Sequence, residues 1–466
     1  MVPVLKYAGE TVLVMGMGKS GLSAARALKA SAADVLVWDD NSERRKLAEK
    51  EGFKAQDPLL IDLTNVSCVV WSPGIPSKHP QSHAVAEAAR NSGVPLVCDL
   101  DLLLQARSDA TFLCITGTNG KSTTTALTAH ILRHSGRHAE AGGNIGTPAL
   151  DLKCLDFGGT YVLELSSYQL ELMPSLGCEA AVLLNISPDH LDRHGGLNGY
   201  IQTKERIFEN QIAPHVAIVG LDDEHSKSVF SDLKLRGRHQ TIGVSSRDLV
   251  PGGIYLDGAV IIDDTEGKKQ PVVDLSEIYT LPGLHNWQNA AAACALAIGQ
   301  GIPHSTIASG MRSFAGLEHR QEFVAQIDDV SFVNDSKATN VDAVEKAFLC
   351  YDPIYWIAGG LAKEGGIEQL LPLFGRVRHA FLIGEAAAEI ADVLATSSVA
   401  YTLCDNIEIA VAKAGKMALS ECIAGATVLL SPACASFDMF ANFEARGDAF
   451  RSAVLGQWPP PHEATA

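Results

Sequence analysis

Residues 117–122, Gly-Thr-Asn-Gly-Lys-Ser, have the types and spacing of a phosphate-binding loop. They follow an apolar run rich in β-formers, residues 111–115, and precede an apolar-periodic segment, residues 126–132. The glycines permit a tight turn with inward N–H groups, and a helix N-terminus adds partial positive charge. Lys121 is predicted to reach the outer phosphates and Ser122 to ligate Mg²⁺.

This loop is shorter than the strict P-loop, because Ile115 stands where that pattern has its first glycine. A Gly-Lys-Ser triplet alone is usually only a solvated turn, but the flanking strand and helix favour phosphate binding. The loop predicts a bound nucleotide and leaves the reaction open.

Two further residues could take part in phosphoryl chemistry. Glu164 ends an apolar strand, where an α/β sheet presents catalytic groups, although it could instead cap a neighbouring helix. Lys204 shares a helical face with Tyr200, Ile207 and Phe208. It could extend its amine to solvent, or burial could lower its pKa so that CO₂ carbamylates the amine and the anion binds Mg²⁺. The residues alone favour the first alternative.

Residues 16–21, Gly-Met-Gly-Lys-Ser-Gly, form a complete dinucleotide fingerprint after an apolar strand. Asp39 and Asp40 follow about twenty positions later, as the fingerprint requires. A second glycine turn, Ser72-Pro73-Gly74, also follows a strand. Taken alone, these features favour an NAD enzyme, and the alternative is that the glycines only close a βαβ turn.

The elements that must position these residues indicate an α/β protein with mostly parallel sheets. We predict a Rossmann-like domain over residues 1–106, a P-loop-type ATPase domain over 107–313, and a second Rossmann-like domain over 314–466. Residues 221–280 are predicted to form short strands and hairpins. In the last domain, polar loops at 334–340, 359–363 and 431–438 follow apolar strands.

Composition limits the compartment and the partners. The 466-residue chain has a net charge of −17 and no visible basic cluster, so nucleic acid is not expected as a partner. No apolar run approaches the ~20 residues of a membrane span, and the N-terminus lacks a signal-peptide layout, which predicts a cytoplasmic protein. The ten cysteines are dispersed and are expected to be reduced.

Ordered motifs along nearly the whole chain resemble the Mur ligases, which add amino acids to the peptidoglycan precursor in the bacterial cytoplasm. The resemblance lies in residues 116–123, 142–144, 164–167, Asp189-His190 with Asp192-Arg193, His285-Asn286, His319-Arg320 and 334–340. It implies that ATP phosphorylates a substrate carboxylate and that an amine then attacks the acyl phosphate.

Within the family, the loops at 334–340 and 431–436 and the motif at 442–447 are similar to those of the member that adds D-glutamate to UDP-N-acetylmuramoyl-L-alanine. The Asp-Asn-Pro-Arg loop expected of the diaminopimelate-adding member is absent from the sequence. The resemblance therefore implies those two substrates, ATP and two Mg²⁺ ions. A monomer is expected.

The resemblance also assigns roles to residues. Those expected to bind ATP are Gly117, Thr118, Asn119, Gly120, Lys121, Ser122, Thr123, Asn286, Asn289, Arg320, Asp335 and Lys337. Ser122 and Glu164 would bind one Mg²⁺, and His190 with N-carboxylated Lys204 would bind a second; Lys121, Glu164, His190 and Lys204 are the expected catalytic residues. Those expected to bind the UDP-substrate are Gly18, Lys19, Ser20, Asp39, Asp40, Asn41, Ser72, Pro73, Gly74, Asn144 and Ser166. Those expected to bind D-glutamate are Thr339, Lys363, Ser436 and Phe443.

Other function classes stay open at this stage. One is an NAD-dependent oxidoreductase fused to an ATP module, in which the first glycine turn would bind the dinucleotide. Another is a sister ligase of the folylpolyglutamate type, which should lack a UDP-binding first domain. A non-enzymatic, nucleotide-gated binding module would leave Glu164, His190 and Lys204 without a purpose.

Overall fold

The structure, a computed structural model, describes residues 1–211, 213–362 and 365–459. Their strands form three sheets, and the chain divides into two compact units. Unit 1 comprises Met1–Glu277 and Asn286–Ser313, and unit 2 comprises Ile278–His285 and Phe314–Ala466. The predicted α/β class is confirmed. Each sheet falls within one of the three predicted domain ranges, whose boundaries stay predictions.

The first sheet of unit 1 is parallel, with the order β3-β2-β1-β4-β5. Its strands are β1 (Thr11–Met15), β2 (Asp34–Trp38), β3 (Lys54–Ala55), β4 (Cys68–Trp71) and β5 (Leu96–Val97). Its helices are α1 (Lys19–Ala30), α2 (Ser42–Lys50), α3 (Ala84–Asn91) and α4 (Asp99–Ala106). The apolar runs of the central strands β1 and β4 are almost wholly buried, as is usual for parallel strands covered on both faces.

The second sheet of unit 1 has the order β14-β13-β12-β11-β10-β9-β6-β8-β7. Its strands are β6 (Thr111–Thr116), β7 (Ala139–Gly143), β8 (Thr160–Glu164), β9 (Ala180–Leu183), β10 (Val216–Gly220), β11 (Gln240–Ser245), β12 (Ile254–Asp257), β13 (Val260–Asp263) and β14 (Gln270–Asp274). The strands from β6 to β12 are parallel, and β13 and β14 are added antiparallel. The mostly parallel sheet predicted for this range is confirmed.

The helices associated with this sheet follow its strands. They are α5 (Lys121–His134), α6 (Ser167–Leu170), α7 (Leu191–His194), α8 (Leu197–Glu205), α9 (Glu224–Arg236), α10 (Gly283–Gly299) and α11 (His304–Arg312). Helix α9 lies in the stretch predicted to contain only strands and hairpins, so that prediction was incomplete. Asp223 caps α9, and the buried Val229 and Leu233 form one narrow apolar face. Two apolar residues among many charged ones are too few to indicate a helix from the sequence.

Unit 2 contains a sheet with the order β15-β16-β20-β17-β18-β19, in which only the β15 pairing is antiparallel. Its strands are β15 (Glu322–Ile327), β16 (Val330–Asn334), β17 (Ile354–Gly359), β18 (Val377–Ile383), β19 (Tyr401–Leu403) and β20 (Thr427–Leu430). Its helices are α12 (Val341–Phe348), α13 (Ala387–Ala395), α14 (Ile407–Glu421) and α15 (Phe443–Gln457). Alternate side chains of β17 pack into two separate apolar clusters, with Trp356 in one and Tyr355 in the other.

Strand register brings several predicted site segments of unit 1 to one sheet edge. In β6, Ile115 pairs with Glu164 of β8 and with Val182 of β9. Gly143, at the end of β7, pairs with Glu164 as well. The segments that follow β6, β7, β8 and β9 therefore leave the sheet side by side, at the carboxyl ends of parallel strands where α/β proteins bind ligands.

Candidate functional site

The predicted phosphate loop connects β6 to α5 as a tight glycine turn. Gly117 has φ +153° and Gly120 has φ +86°, and Gly120 is the N-cap of α5. A Cβ atom on Gly120 would overlap the side-chain amide of Asn289, so this position requires glycine for space as well as for conformation. The loop thus presents the N-terminus of a fourteen-residue helix at the sheet edge, which suits an anion.

Two lysine amines converge on the start of this loop. The Nζ of Lys121 donates to the carbonyl oxygens of Gly117 and Thr118, each at 2.9 Å. The Nζ of Lys204 donates to the same Gly117 oxygen at 2.9 Å. Lys204 is 1% exposed, and burial, together with the charge of Lys121, lowers the pKa of its amine well below the usual value. The buried orientation predicted as the second alternative for Lys204 is therefore the one found, and the extension to solvent is not.

The segment after β9 forms hydrogen bonds with the phosphate loop. The Asn185 side chain accepts from the Asn119 N–H at 2.9 Å and donates to the Asn119 carbonyl at 3.2 Å. The Thr118 hydroxyl accepts from the Ser187 N–H at 3.0 Å and lies 3.1 Å from the Tyr200 hydroxyl. Asn185, Ser187 and Tyr200 were not predicted as site residues. Their polar positions directly after a buried strand and on the Lys204 helix were the available signal.

Glu164 has one carboxylate oxygen paired and one open. The residue is 3% exposed, and its Oε1 accepts from the Asn144 amide at 3.0 Å. Among the residues that the structure describes, none donates a hydrogen bond to its buried Oε2. Because a buried oxygen without a donor is costly, this atom is suited to bind a cation. The alternative of a helix-capping carboxylate is not what is found.

Ser122 and Thr123 lie in the first turn of α5 and are 8% and 7% exposed. Within the described ranges, no three His, Cys, Asp or Glu side chains cluster in a way that could hold a metal by themselves. A serine hydroxyl and one open carboxylate oxygen fit Mg²⁺, which usually keeps several waters and binds phosphate oxygens as well.

His190 follows the same sheet edge and caps α7 in a left-handed conformation, with φ +49°. Its imidazole is exposed, lies 3.4 Å from the Asp189 carboxylate and contacts the Tyr168 ring at 5.0 Å between centroids. The imidazole is therefore accessible to a ligand. Ser166, predicted to bind the UDP-substrate, forms a capping box with Gln169 at the start of α6, while Asn144 is exposed beside Glu164.

Asn286 and Asn289 lie on α10 and are 8% and 3% exposed. The Asn289 amide donates to the Asn286 side-chain oxygen at 3.2 Å. Because Asn289 also packs against Gly120, the structure brings this predicted pair to the phosphate loop, and the alternative of a helix-entry cap does not account for it.

The two turns predicted to bind the UDP-substrate both follow strands of the first sheet. Gly18 caps α1, Lys19 is exposed and Ser20 is half-buried. The Ser72 N–H donates to the Met15 carbonyl, so the turn of residues 72–74 lies beside the glycine turn. Both turns lie at the carboxyl edge of the first sheet.

The acidic residues after β2 interact mainly with the protein itself. The Asp39 carboxylate accepts from the N–H groups of Met17 at 2.7 Å and Asn41 at 2.9 Å, and thereby fastens the glycine turn. Asp40 is exposed and lies 3.0 Å from His83, while Asn41 caps α2. The buried Asp39 is therefore a structural residue of the turn. Asp40 is the more accessible of the two acids.

In unit 2, Asp335 is a buried acid. Its carboxylate accepts from the Ser431 hydroxyl at 3.0 Å and from the Gln321 N–H at 3.1 Å. Burial raises the pKa of Asp335 to about 7, against the smaller opposing effects of these hydrogen bonds and of the Arg320 charge. Arg320 is half-buried, and the exposed Lys337 places its amine 5.2 Å from the Phe443 ring centroid.

Three of the residues predicted to bind D-glutamate are described, and Lys363 lies outside the described residues. Thr339 and Phe443 are half-buried, and Ser436 is 2% exposed. A cavity of about 260 Å³ opens next to their loops and is lined in part by Asn340 and Cys434. The buried Arg446 donates to the Ser336 hydroxyl and the Cys434 carbonyl, so it connects two of these loops.

Comparison with protein families matches both units. Residues 115–297 match the Mur ligase middle domain, and residues 319–434 match the Mur ligase glutamate ligase domain. Among the described residues, no helix is both long and apolar enough to cross a membrane.

Proteins named UDP-N-acetylmuramoylalanine–D-glutamate ligase are similar over nearly the whole chain. The one from Rhodospirillum rubrum is 51% identical over 97% of this chain and 96% of its own length. The one from Paramagnetospirillum magneticum is 50% identical over 97% of each chain, and the one from Caulobacter sp. is 46% identical over 99% of each.

Solved structures share the fold at lower identity. UDP-N-acetylmuramate-alanine ligase MurC from Thermotoga maritima superposes with a TM-score of 0.58 at 16% identity, covering 96% of this chain and 99% of that one. A UDP-N-acetylmuramoyl-L-alanyl-D-glutamate–2,6-diaminopimelate ligase gives a TM-score of 0.58 at 19% identity, covering 98% and 94%.

Proposed function

This chain belongs to the Mur ligase family, and from that we propose that it joins D-glutamate to UDP-N-acetylmuramoyl-L-alanine, converting ATP to ADP and phosphate. Relatives of that name at 46–51% identity over nearly the full length support the substrate pair. The reaction would be a cytoplasmic step of bacterial peptidoglycan synthesis, performed by a monomer.

The observation that carries the proposal is the open Oε2 of Glu164 beside the phosphate loop. In the proposed site, the loop N–H groups of residues 117–120 and the helix N-terminus bind the β- and γ-phosphates. Lys121 already points its amine at the loop carbonyls and needs only a rotation of its flexible side chain to reach a phosphate oxygen. Ser122, Thr123 and the Asn286–Asn289 pair complete this side of the nucleotide site.

Ser122 and Glu164 would hold a magnesium ion. When bound, the ion neutralises phosphate charge and polarises the phosphoryl group. The proposed contribution of the chain is to orient the hydroxyl and the carboxylate. The hydrogen bond from Asn144 to the other Glu164 oxygen fixes the carboxylate in one rotamer.

Lys204 is proposed to be carbamylated. Burial and the Lys121 charge lower the pKa of its amine well below the usual value, which raises the neutral fraction of the amine, and a neutral amine can attack CO₂. A nitrogen–carbon bond then forms and one proton leaves, which gives an anionic carbamate. This anion and the accessible imidazole of His190 would hold a second magnesium ion.

The reaction would proceed in two displacements. A carboxylate oxygen of the alanyl group attacks the γ-phosphorus, the bond to the β-phosphate oxygen breaks and ADP leaves. The D-glutamate nitrogen then attacks the acyl carbon, loses a proton, and phosphate leaves with the carbon–oxygen electron pair. Asn144 and Ser166 are proposed to position the alanyl end so that this carboxylate meets the γ-phosphate.

The remaining residues to which the resemblance assigns a role are proposed to bind the UDP part of the first substrate, ATP and D-glutamate. Gly18, Lys19 and Ser20 would bind the UDP diphosphate, and Asp40, Asn41, Ser72, Pro73 and Gly74 would lie near the uridine, with Asp39 supporting the turn. Arg320, Asp335 and Lys337 would contact ATP, and Thr339, Lys363, Ser436 and Phe443 would bind D-glutamate. The cavity beside residues 340 and 434 supports a small-molecule site in these loops.

Phosphate release tests this proposal. The purified chain, ATP, Mg²⁺ and UDP-N-acetylmuramoyl-L-alanine are combined with a panel of D- and L-amino acids. We expect phosphate and a new amide only with D-glutamate, and no change in nicotinamide fluorescence on addition of NADH. ATP left intact with both partners present would refute the proposal, and preference for another amino acid would refute the substrate assignment.

A further inference from the structure

A buried polar cluster in unit 1 joins the segments around the candidate site. It consists of Ser167, Glu171, Arg193 and His194, which we call the Glu171 cluster. The His194 Nδ1 lies 2.8 Å from a Glu171 oxygen, and its Nε2 lies 2.9 Å from the Ser167 hydroxyl. The Arg193 guanidinium lies 3.7 Å from the other Glu171 oxygen. The side chains of Arg193 and Glu171 are 9% and 10% exposed, and that of His194 is 0% exposed.

The order serine, histidine, carboxylate is that of a hydrolase triad, but burial argues against that chemistry. Ser167 is 4% exposed and the His194 side chain is 0% exposed, so the pair has no access to the water that hydrolysis consumes. A cluster of this kind, with each histidine nitrogen paired, instead fixes the elements that carry its members. Here those elements are α6, which follows Glu164, and α7, which follows His190.

Arg193 extends the cluster to the first sheet of unit 1. Its guanidinium donates to the carbonyl oxygens of Pro73 at 3.2 Å, Ile75 at 3.0 Å and His79 at 3.1 Å. These carbonyls belong to the turn after β4, which contains Ser72 and Gly74. Charge-assisted donation from one buried group to three carbonyls holds this turn against α7. Removing the Arg193 side chain would therefore take one hydrogen-bond donor from all three carbonyl oxygens at once.

The same cluster reaches the phosphate loop from the other side. The backbone N–H of Arg193 donates to the His190 carbonyl at 3.0 Å and closes the turn that begins at the left-handed His190. The His194 ring packs against Tyr200, at 5.4 Å between centroids, and the Tyr200 hydroxyl lies 3.1 Å from the Thr118 hydroxyl. A continuous set of packed and hydrogen-bonded groups therefore runs from the turn at residues 73–79 to the loop at residues 117–120.

We propose that Arg193 is a positioning residue that couples occupancy of the UDP-substrate turn to nucleotide binding at the phosphate loop. The inference rests on the proposed function, because it takes residues 72–79 as part of the UDP-substrate site. A substrate that orders this turn fixes the Arg193 acceptors, and Arg193 then holds α7 and the Tyr200 contact in the arrangement that suits the nucleotide. Such a coupling is reciprocal, so each ligand tightens the other.

The test measures that coupling directly. The dissociation constant of the magnesium complex of a non-hydrolysable ATP analogue is determined by calorimetry, with and without saturating UDP-N-acetylmuramoyl-L-alanine, for wild type and for Arg193→Met. We expect the substrate to tighten analogue binding about tenfold in wild type and less than about twofold in R193M, with analogue binding alone nearly unchanged. R193K should recover part of the coupling, because an ammonium can still reach some of the carbonyls.

Arg107→Met is the matched control. The Arg107 side chain is also 9% exposed and is bonded to Asp109 and Cys154, but it lies before the other end of β6. Its loss should lower thermal stability as R193M does and leave the tenfold coupling intact. If R193M does not fold, Glu171→Gln replaces it in the test. This variant keeps the shape of the side chain and removes the carboxylate charge next to the Arg193 guanidinium, so we expect it to reduce the coupling.

Coupling in R193M or E171Q equal to wild type, absence of coupling in wild type, or equal loss in R107M would overturn the inference. Wild-type ligation of D-glutamate, assayed in parallel, separates the two proposals. If ligation is present but coupling is insensitive to Arg193, only the present inference fails. If ligation is absent, the proposed function fails.

Discussion

Lys121 and Lys204 donate to one acceptor, the carbonyl oxygen of Gly117, each at 2.9 Å. Two amines at one oxygen repel each other when both are charged, and Lys204 is the buried one. Burial first and the Lys121 charge second lower the pKa of the Lys204 amine. The arrangement favours a neutral, reactive amine next to a phosphate loop.

Lys204→Met is expected to abolish ligation and to stabilise the fold. The methionine removes a buried amine, and the Gly117 oxygen keeps its bond from Lys121. We expect activity to fall at least about 100-fold and the free energy of unfolding near pH 7 to rise by about 1 kcal/mol. Urea unfolding and the phosphate-release assay measure the two effects. A variant that is both inactive and less stable would contradict the argument.

The pH dependence of this effect has a defined sign. The folded pKa of Lys204 lies below its unfolded value, so the unfolded chain binds the extra proton as the pH falls between the two values. Wild type should therefore lose stability relative to K204M as the pH decreases from about 10 toward the folded pKa. For the carbamate itself, Lys204→Ala with short carboxylates added should regain some activity. No rescue would weigh against carbamylation.

Gly120→Ala should weaken nucleotide binding. The added Cβ would overlap Asn289 and would force alanine into φ +86°. Gly136→Ala is the matched control, since Gly136 has φ +84° at the other end of the same helix and open space around a Cβ. Both variants should lose roughly 1 kcal/mol for the conformation, but only G120A should weaken ATP binding, by at least about tenfold. Equal affinities would show that the contact with Asn289 does not matter.

Glu164→Gln should separate magnesium binding from stability. The Asn144 bond to one oxygen can persist, and the open Oε2 has no donor to lose among the described residues, so the fold should be unharmed. Ligation should fall about 100-fold or more at every magnesium concentration tested. Asp101→Asn is the contrast, because both oxygens of that buried acid are bonded, to Ser175 and Gln105. D101N should lose stability and keep ligation.

Much of the fold and the central site could be predicted from the sequence, because local signals determine them. The loop at residues 117–122, the position of Glu164 at a strand end and the place of Lys204 on an apolar helix face all follow from periodicity and turn chemistry over short stretches. The residues alone nevertheless favoured a Lys204 amine extended to solvent, whereas the structure buries it. The family resemblance predicted from ordered motifs is confirmed by the comparisons.

The contacts that join distant segments could not be predicted in this way. Nothing within a short stretch indicates that Thr118 meets Tyr200 or that Arg193 bonds the turn after β4, because packing of separate elements decides both. Asp39 shows the same limit from the other side. Its spacing predicted a ligand contact, which stays a prediction, and gave no sign that its carboxylate also accepts from the backbone N–H groups of Met17 and Asn41.

Asp335→Asn should make unit 2 more stable at alkaline pH than the wild-type unit. The folded pKa of Asp335 is raised to about 7, above the roughly 3.9 of an unfolded aspartate. Between those values the folded chain keeps a proton that the unfolded chain releases, so stability falls as the pH rises to about 7 and stays low above it.

The asparagine can keep both hydrogen bonds, accepting from Gln321 N–H and donating to the Ser431 oxygen, and it has no charge to bury. Wild type and D335N should therefore unfold at similar urea concentrations at pH 5, and D335N should be more stable by about 1–2 kcal/mol at pH 8. Asp329→Asn, at an exposed position of the same unit, should show no such divergence. A difference between wild type and D335N that is the same at both pH values would mean that Asp335 is already ionised at pH 5.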